Sequence, residues 1–334
     1  MKHPNLDLQK NVAVVGCKHT TQDLIEGLAR YGYPIDHCIT ISPEQGHEAQ
    51  VAGYHELRPY LEKQDIPYTL VEKYNLRSKS DQEHLLNLQF DLLLVMGWQR
   101  LIPDWWLESL SIGAFGMHGS NKPLPHGRGR SPMNWSLIQG KTIFFTHLFQ
   151  YLPGVDDGPI AGVQIFDITP HDTCLTLHMK NLIAMTQLCA RLIPSLLDGT
   201  IKLKPQPTEG VSFYPKRSAE DGLIYWNDST ADIYNLIRAV TRPFPGAFTL
   251  LDDDPNQNYN IWHAIPFDTH LLWPDARSGE IVEVFYDGQY VVKTGDSSLL
   301  VIESTGPHGL TSNDIGRRFG SLNMPRKKWE GLPG

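Results

Sequence analysis

Four short apolar runs, each divided from the next by a helical pattern, constrain the fold of this chain more than any other feature. They are Asn11-Val12-Ala13-Val14-Val15-Gly16-Cys17, His37-Cys38-Ile39-Thr40-Ile41, Tyr68-Thr69-Leu70-Val71 and Asp91-Leu92-Leu93-Leu94-Val95-Met96. A strand with one wet face alternates apolar and polar residues, whereas a continuous apolar run is buried on both faces. Between the first two runs, Leu24, Ile25 and Leu28 fall on one side of a helix from Thr21 to Tyr31, and further helices are expected at about 53 to 64 and 80 to 88. The alternation predicts an α/β fold: a mostly parallel, Rossmann-like sheet covered by helices on both faces. Ligands of such sheets bind past the strand C-termini, where Gly97 to Pro103 follows the fourth run. No G-x-G-x-x-G follows the first run, so the usual dinucleotide site is not expected.

Downstream, Ser131-Pro132 reads as a helix start with serine as the cap and proline in the first turn. Apolar residues then recur from Asp172 to Leu197 as on a long amphipathic helix, which Asp198-Gly199 stops. After the linker Lys204 to Gly210, Ser229-Thr230-Ala231-Asp232 opens another helix as a capping box. The pattern then turns to β at 247–251, 260–264, 280–286, 289–293 and 299–303, with Asp287-Gly288 as a hairpin signal. Two domains are expected, 1–204 and 205–334, the second β-rich and barrel-like, similar to an OB fold.

Hydrophobic residues make up 41% and charged residues 20% of the 334, the balance of a globular chain rather than a disordered one. No apolar run of spanning length and no signal-like start is present, so a cytoplasmic protein without membrane contact is expected. Cys17, Cys38, Cys174 and Cys189 lack metal-ligand spacing and read as buried thiols; no metal is expected.

The chemistry concentrates between Gly116 and Gly158. Gly116-Met117-His118-Gly119-Ser120 is followed by Gly127-Arg128-Gly129-Arg130-Ser131-Pro132, and Gly154-Val155-Asp156-Asp157-Gly158 lies about 40 residues beyond the histidine. With Leu93 to Pro103 upstream, this order and spacing resembles the catalytic core of enzymes that move a formyl group from N10-formyltetrahydrofolate. Lys216 to Trp226 and Arg238 to Phe248 are similar to the start of the C-terminal domain in methionyl-tRNA and sugar-nucleotide formyltransferases.

Formyl transfer to an amine passes through a tetrahedral intermediate with an oxyanion, which needs a hydrogen-bond donor where the charge develops. A protonated His118 supplies one, and a carboxylate beside an imidazole favours its charged form. Asp156 is the candidate partner and proton relay; the family register of Asp-x-Gly selects it over Asp157. Taken without their surroundings, His118 reads first as a core histidine satisfied by a backbone carbonyl, and Asp156 as an Asx-turn residue. Most members of the family carry asparagine two positions before the histidine, whereas this chain has Gly116. The resemblance leaves the second donor to Asn121, to Gln99 or to a backbone N–H.

The resemblance also implies that the backbone of Gln99, Arg100, Leu101 and Ile102 binds the pterin ring, covered by a loop from Tyr151 to Gly158 that includes Gly154 and Val155. Arg128 and Arg130, with Ser120, are the candidate contacts to an acceptor diphosphate, since guanidinium groups bind phosphate in a bidentate manner. Solvation or a salt bridge is the plainer reading of both arginines. The chain carries a net charge of -8, and residues 201–334 hold 13 basic against 17 acidic residues, a balance that disfavours tRNA. The expected acceptor is a nucleotide-linked amino sugar, in surface-polysaccharide synthesis, with no nucleic-acid partner and a homodimer kept as an expected assembly. Methionyl-tRNA formyltransferase, 10-formyltetrahydrofolate hydrolase and a non-enzymatic binding protein are the alternatives.

Overall fold

Strands β1 (Val12–Val15), β2 (His37–Thr40), β3 (Tyr68–Leu70) and β4 (Leu92–Val95) form where the four apolar runs stand, in a computed structural model that describes residues 10–320. With β5 (Gly113–Ser120), β7 (Ile143–Gln150) and β8 (Ile160–Asp167) they build a seven-stranded sheet in the order β3-β2-β1-β4-β5-β7-β8; β6 (Arg128–Gly129) is a two-residue strand outside it. Strands β1 to β5 are parallel, and β7 runs antiparallel to β5. Alternation explains the apolar runs: Val12 and Val14 join one core cluster with Leu24, Ile25 and Leu28, while Ala13 and Val15 join another with Ile39, Leu85 and Trp106. Both faces are dry, as the continuous apolar pattern requires.

Helix α1 (His19–Arg30) forms where the periodicity predicts it. Helix α2 (Pro43–Glu48) was not anticipated, although Ser42-x-x-Gln45 carries its signature: the two side chains bond each other's backbone N–H groups. Helix α3 (Arg58–Lys63) occupies only the second half of the expected span, with Pro59 in its first turn, and α4 (Lys79–Asn87) matches its expected place. A single turn, α5 (Asp104–Leu107), follows the segment after β4.

The described residues divide into two units that interleave along the chain. The first holds residues 10–128, 145–166 and 180–211, and the second 129–144, 167–179 and 212–320. Helix α6 (Pro132–Ile138) has proline in its first turn and Ser131 at the cap position as expected, but the serine's backbone is left-handed (φ 57°) and its side chain bonds no helical N–H. Helix α7 (Cys174–Leu197) supplies the long amphipathic element. After the two-residue β9 (Phe213–Tyr214), helix α8 (Thr230–Val240) starts at Ser229, whose Oγ accepts the Asp232 N–H at 3.1 Å and donates to its carboxylate at 2.7 Å.

Strands β10 (Ala247–Leu251), β11 (Asn258–Pro266), β12 (Ile281–Val284), β13 (Tyr290–Lys293), β14 (Ser298–Thr305) and β15 (Phe319–Gly320) form an antiparallel sheet in the order β12-β13-β14-β11-β10-β15. A bridge between Glu280 and Arg318 links its two edges, which curls the sheet toward a barrel around Tyr259, Tyr290 and Phe319. The Asp287-Gly288 turn joins β12 to β13, with Gly288 at φ 86° where a side chain would be strained. All four cysteines are buried free thiols. No helix of the described residues is long and apolar enough to cross a membrane.

Candidate active site

The antiparallel register of β5 and β7 sets His118 directly opposite His147. His147 is fully buried, and its Nε2 accepts the Leu124 N–H at 3.2 Å. That leaves Nδ1–H to donate to the His118 carbonyl at 3.2 Å, so the ring is neutral with a fixed tautomer. Burial is the main cause that pushes its pKa down to about 4, and it braces the backbone at His118.

His118 itself is 8% exposed. Its Nε2–H donates to the Gly127 carbonyl at 2.7 Å, and Nδ1 stands 3.5 Å from Asp156 Oδ2. The first contact is a hydrogen bond; the second is an ion-pair distance with room to move. A protonated ring has an N–H for each acceptor, whereas a neutral ring has one.

Asp156 sits in the loop between β7 and β8 with a left-handed backbone, φ 51°. Aspartate reaches that conformation more readily than most residues, and Gln206 fixes the loop around it here. Its Nε2 donates to the carbonyls of Asp156 and Gly158, each at 2.8 Å, and its Oε1 accepts from Arg128 Nη2 at 2.7 Å. Gly158 closes the loop against the Gln150 carbonyl, where a Cβ would collide. This packing explains the Asp-x-Gly pattern physically.

The gap that Gly116 leaves on β5 is filled. A Cβ built there would meet the ring and hydroxyl of Tyr151 closer than 3.0 Å, so the tyrosine occupies the space a side chain at 116 would take. Tyr151 is also one wall of a cavity of about 570 Å³, shared with Arg100, Leu101, Ile102, Gly154, Val155 and Asp156. The volume is that of a small-molecule site. On its rim, the backbone groups of Arg100, Leu101 and Ile102 make no hydrogen bond among the described residues, and the Leu101 side chain is 64% exposed. An extended segment with free donors and acceptors beside an apolar side chain suits a flat heterocycle.

Six of the expected residues therefore meet at one cavity, and Asp156 links it to His118. The others lie elsewhere. Gln99 is exposed and gives its N–H to the Tyr74 hydroxyl at 2.9 Å, while the Arg100 guanidinium stacks 4.8 Å from the Tyr74 ring. Asn121 is half-buried just after β5; Ser120 is fully buried, with no partner for its hydroxyl among the described residues. Arg128 is buried on Gln206, its Nε without a partner among the described residues. Arg130 is exposed in the second unit, its N–H on the Tyr214 carbonyl at 3.1 Å. His147, Gln206 and the Tyr151 ring are the elements of the site that the pattern of residues did not single out. Only strand register and loop packing bring them to it. Among the described residues, no group of three or more His, Cys, Asp or Glu stands where it could hold a metal ion.

Comparison with known proteins bears on the family and the fold. The family model for the formyl transferase domain matches residues 10–191, and that for the formyl transferase C-terminal domain matches residues 216–312. Among solved structures, the N-formyltransferase from Helicobacter canadensis with folinic acid and dTDP-3-aminofucose superposes with a TM-score of 0.62 at 15% identity, covering 89% of this chain and 100% of that one. The sugar 3N-formyl transferase WlaRD, with dTDP and 5-N-formyl-THF, gives 0.62 at 14% identity over 90% and 99%. A variant of HypX from Aquifex aeolicus gives 0.61 at 14% identity over 90% of this chain and 45% of its own, so this chain spans less than half of HypX. At these identities the likeness is one of fold, whereas the family models together cover most of the chain. The chain belongs to the formyl transferase family.

Proposed function

We propose that the protein transfers the formyl group of N10-formyltetrahydrofolate to the amine of a nucleotide-linked amino sugar. The observation that carries this reading is the His118–Asp156 pair, 3.5 Å apart, with Asp156 in the wall of a cavity whose rim segment, Arg100 to Ile102, offers unpaired backbone groups. Those groups bind the pterin edge, Leu101 covers its face, and Gly154 and Val155 close over it. The acceptor nitrogen attacks the formyl carbon, and a protonated His118, whose Nδ1–H faces Asp156 only at 3.5 Å, turns that donor to the oxygen as it becomes an alkoxide. Asp156 takes the proton that the new C–N bond makes acidic. Collapse then breaks the bond between the formyl carbon and N10, and N10 leaves as the secondary amine by taking up, through water, the proton that Asp156 received. Asn121 lies just past the end of the same strand as a further candidate donor, and Ser120 and Arg128 are kept as candidate acceptor contacts.

Two fold relatives were solved with a formylated or related folate and a dTDP ligand, which supports both halves of the reading. The acidic balance of residues 201–334 supports a small acceptor over tRNA. Surface-polysaccharide synthesis in the cytoplasm is the setting this implies, and a homodimer the assembly to be tested by sedimentation. Incubation of the protein with N10-formyltetrahydrofolate and a panel of amino-sugar nucleotides tests the reading, with N-formyl sugar as the expected product. Formate released at the same rate without any amine would identify a hydrolase, and modification of charged initiator tRNA alone would replace the acceptor.

A further inference from the structure

Strand β5 presents Gly116 and His118 on one face, since side chains two residues apart point the same way. What stands over that face at 116 is the phenol of Tyr151: its Cε1, Cζ and hydroxyl oxygen are the three atoms nearest to where a Cβ would be. The tyrosine is anchored by its own N–H on the Ala114 carbonyl at 2.8 Å and by Phe149, whose ring centroid is 5.3 Å away. The tyrosine is half-buried, packed against the core of the sheet, and lines the same cavity as Asp156. Among the described residues, its hydroxyl meets no hydrogen-bond acceptor.

An unpaired donor on the histidine's face of the strand, in the wall of the cavity, has the chemistry that the developing oxyanion requires. We infer that the Tyr151 hydroxyl is the second donor to the formyl oxygen, acting beside His118. The inference rests on the formyl-transfer reading of the same site. It replaces Asn121, Gln99 and a backbone N–H as the source of that donor. Gln99 does not line the cavity, and its backbone N–H is held by the Tyr74 hydroxyl.

Burial, and after it the charge of Asp156, raises the Tyr151 pKa far above its ordinary value, so the phenol keeps its proton. A protonated phenol can donate throughout the neutral range and needs no general base. The step transfers no proton to or from Tyr151: the hydrogen bond strengthens as the carbonyl oxygen gains charge and relaxes when the intermediate collapses. Gly116 is a requirement of this arrangement, because any side chain there would displace the ring.

The test is Tyr151→Phe, which keeps the ring that fills the space over Gly116 and removes one oxygen. N10-formyltetrahydrofolate carrying a carbon-13 formyl group is bound to the wild-type and variant proteins without any amine, and the formyl C=O stretch is read by isotope-edited infrared difference spectroscopy. Loss of the donor should move the stretch to higher wavenumber in the variant, with folate affinity nearly unchanged. With the acceptor present, turnover should fall on the order of 100-fold, the usual cost of one oxyanion donor. An identical stretch in both proteins would overturn the assignment of Tyr151 while leaving formyl transfer in place. Failure of the wild type to bind the folate would remove the site reading itself and the inference with it.

Discussion

His118 has two acceptors and Asp156 a left-handed backbone whose carbonyl Gln206 holds, so these two residues concentrate the function of the molecule. His118→Ala and Asp156→Ala should each lower turnover on the order of 100-fold or more at saturating substrates, at a temperature where the melt shows each variant folded, because each removes a transition-state interaction. Steady-state rates beside a matched melt check this; near-normal turnover in both variants would remove the pair from the mechanism. His147 makes a different prediction, one of stability. Its folded pKa of about 4 lies below the ordinary 6.5, so between these values the unfolded chain takes up a proton that the folded one refuses. Stability from this residue is therefore full above pH 6.5 and falls as the pH drops toward 4. Between pH 7 and 5 the loss amounts to about 2 kcal/mol, at 1.36 kcal/mol per unit. His147→Gln should show a correspondingly flatter pH dependence in urea denaturation, and parallel curves for the two proteins would show that His147 does not titrate as described.

At the scale of elements, the active loop is held by a residue from outside it. Gln206 follows the β-bridge between Ile160 and Lys204 and clamps both ends of the Asp156–Gly158 turn, while Arg128 secures the clamp. The consequence is positional: Gln206 is bonded to carbonyls of the loop and to a guanidinium. Gln206→Ala should leave the sheet intact and lower kcat by roughly 10-fold to 100-fold through misplacement of Asp156. The folate Michaelis constant should change less, since the rim segment Arg100 to Ile102 is independent of the clamp. A kcat equal to the wild type would show that the loop holds its conformation unaided. The pair β5 and β7 contributes in a similar way, since its register puts His147 under His118 and Phe149 beside Gly116.

For the whole molecule, net charge separates the acceptors. A chain at -8, with its C-terminal residues 201–334 also acidic, has no general field to attract a polyanion. A sugar nucleotide displaces few counterions, so its Michaelis constant should rise only modestly between about 50 and 200 mM salt, whereas a multi-phosphate tRNA contact would weaken on the order of a thousandfold. Initial rates with each acceptor across that range measure the difference. A steep salt dependence with the sugar nucleotide would mean that several phosphate contacts exist which the charge distribution does not suggest.

The layered α/β core was legible in residues 11–96 because burial on both faces leaves an unmistakable local trace: Val12 to Val15 and Leu92 to Val95 have no position at which a polar residue fits. The β-rich segment was legible in the same way, through alternation and the Asp287-Gly288 turn. His118 and Asp156 stood out because their neighbours are glycines, and glycine marks places where backbones approach too closely for a side chain. The short helix α2 was legible in Ser42 and Gln45, though its six residues carry no periodicity to draw attention. Sequence could not reveal what fills a gap. That Tyr151 covers Gly116, that His147 supports His118, and that Gln206 holds Asp156 are contacts across 35, 29 and 50 positions. They depend on strand register and on a loop folding back upon a later segment. Local residue patterns report which surfaces must be buried; which side chain does the burying is decided only when distant segments are packed together.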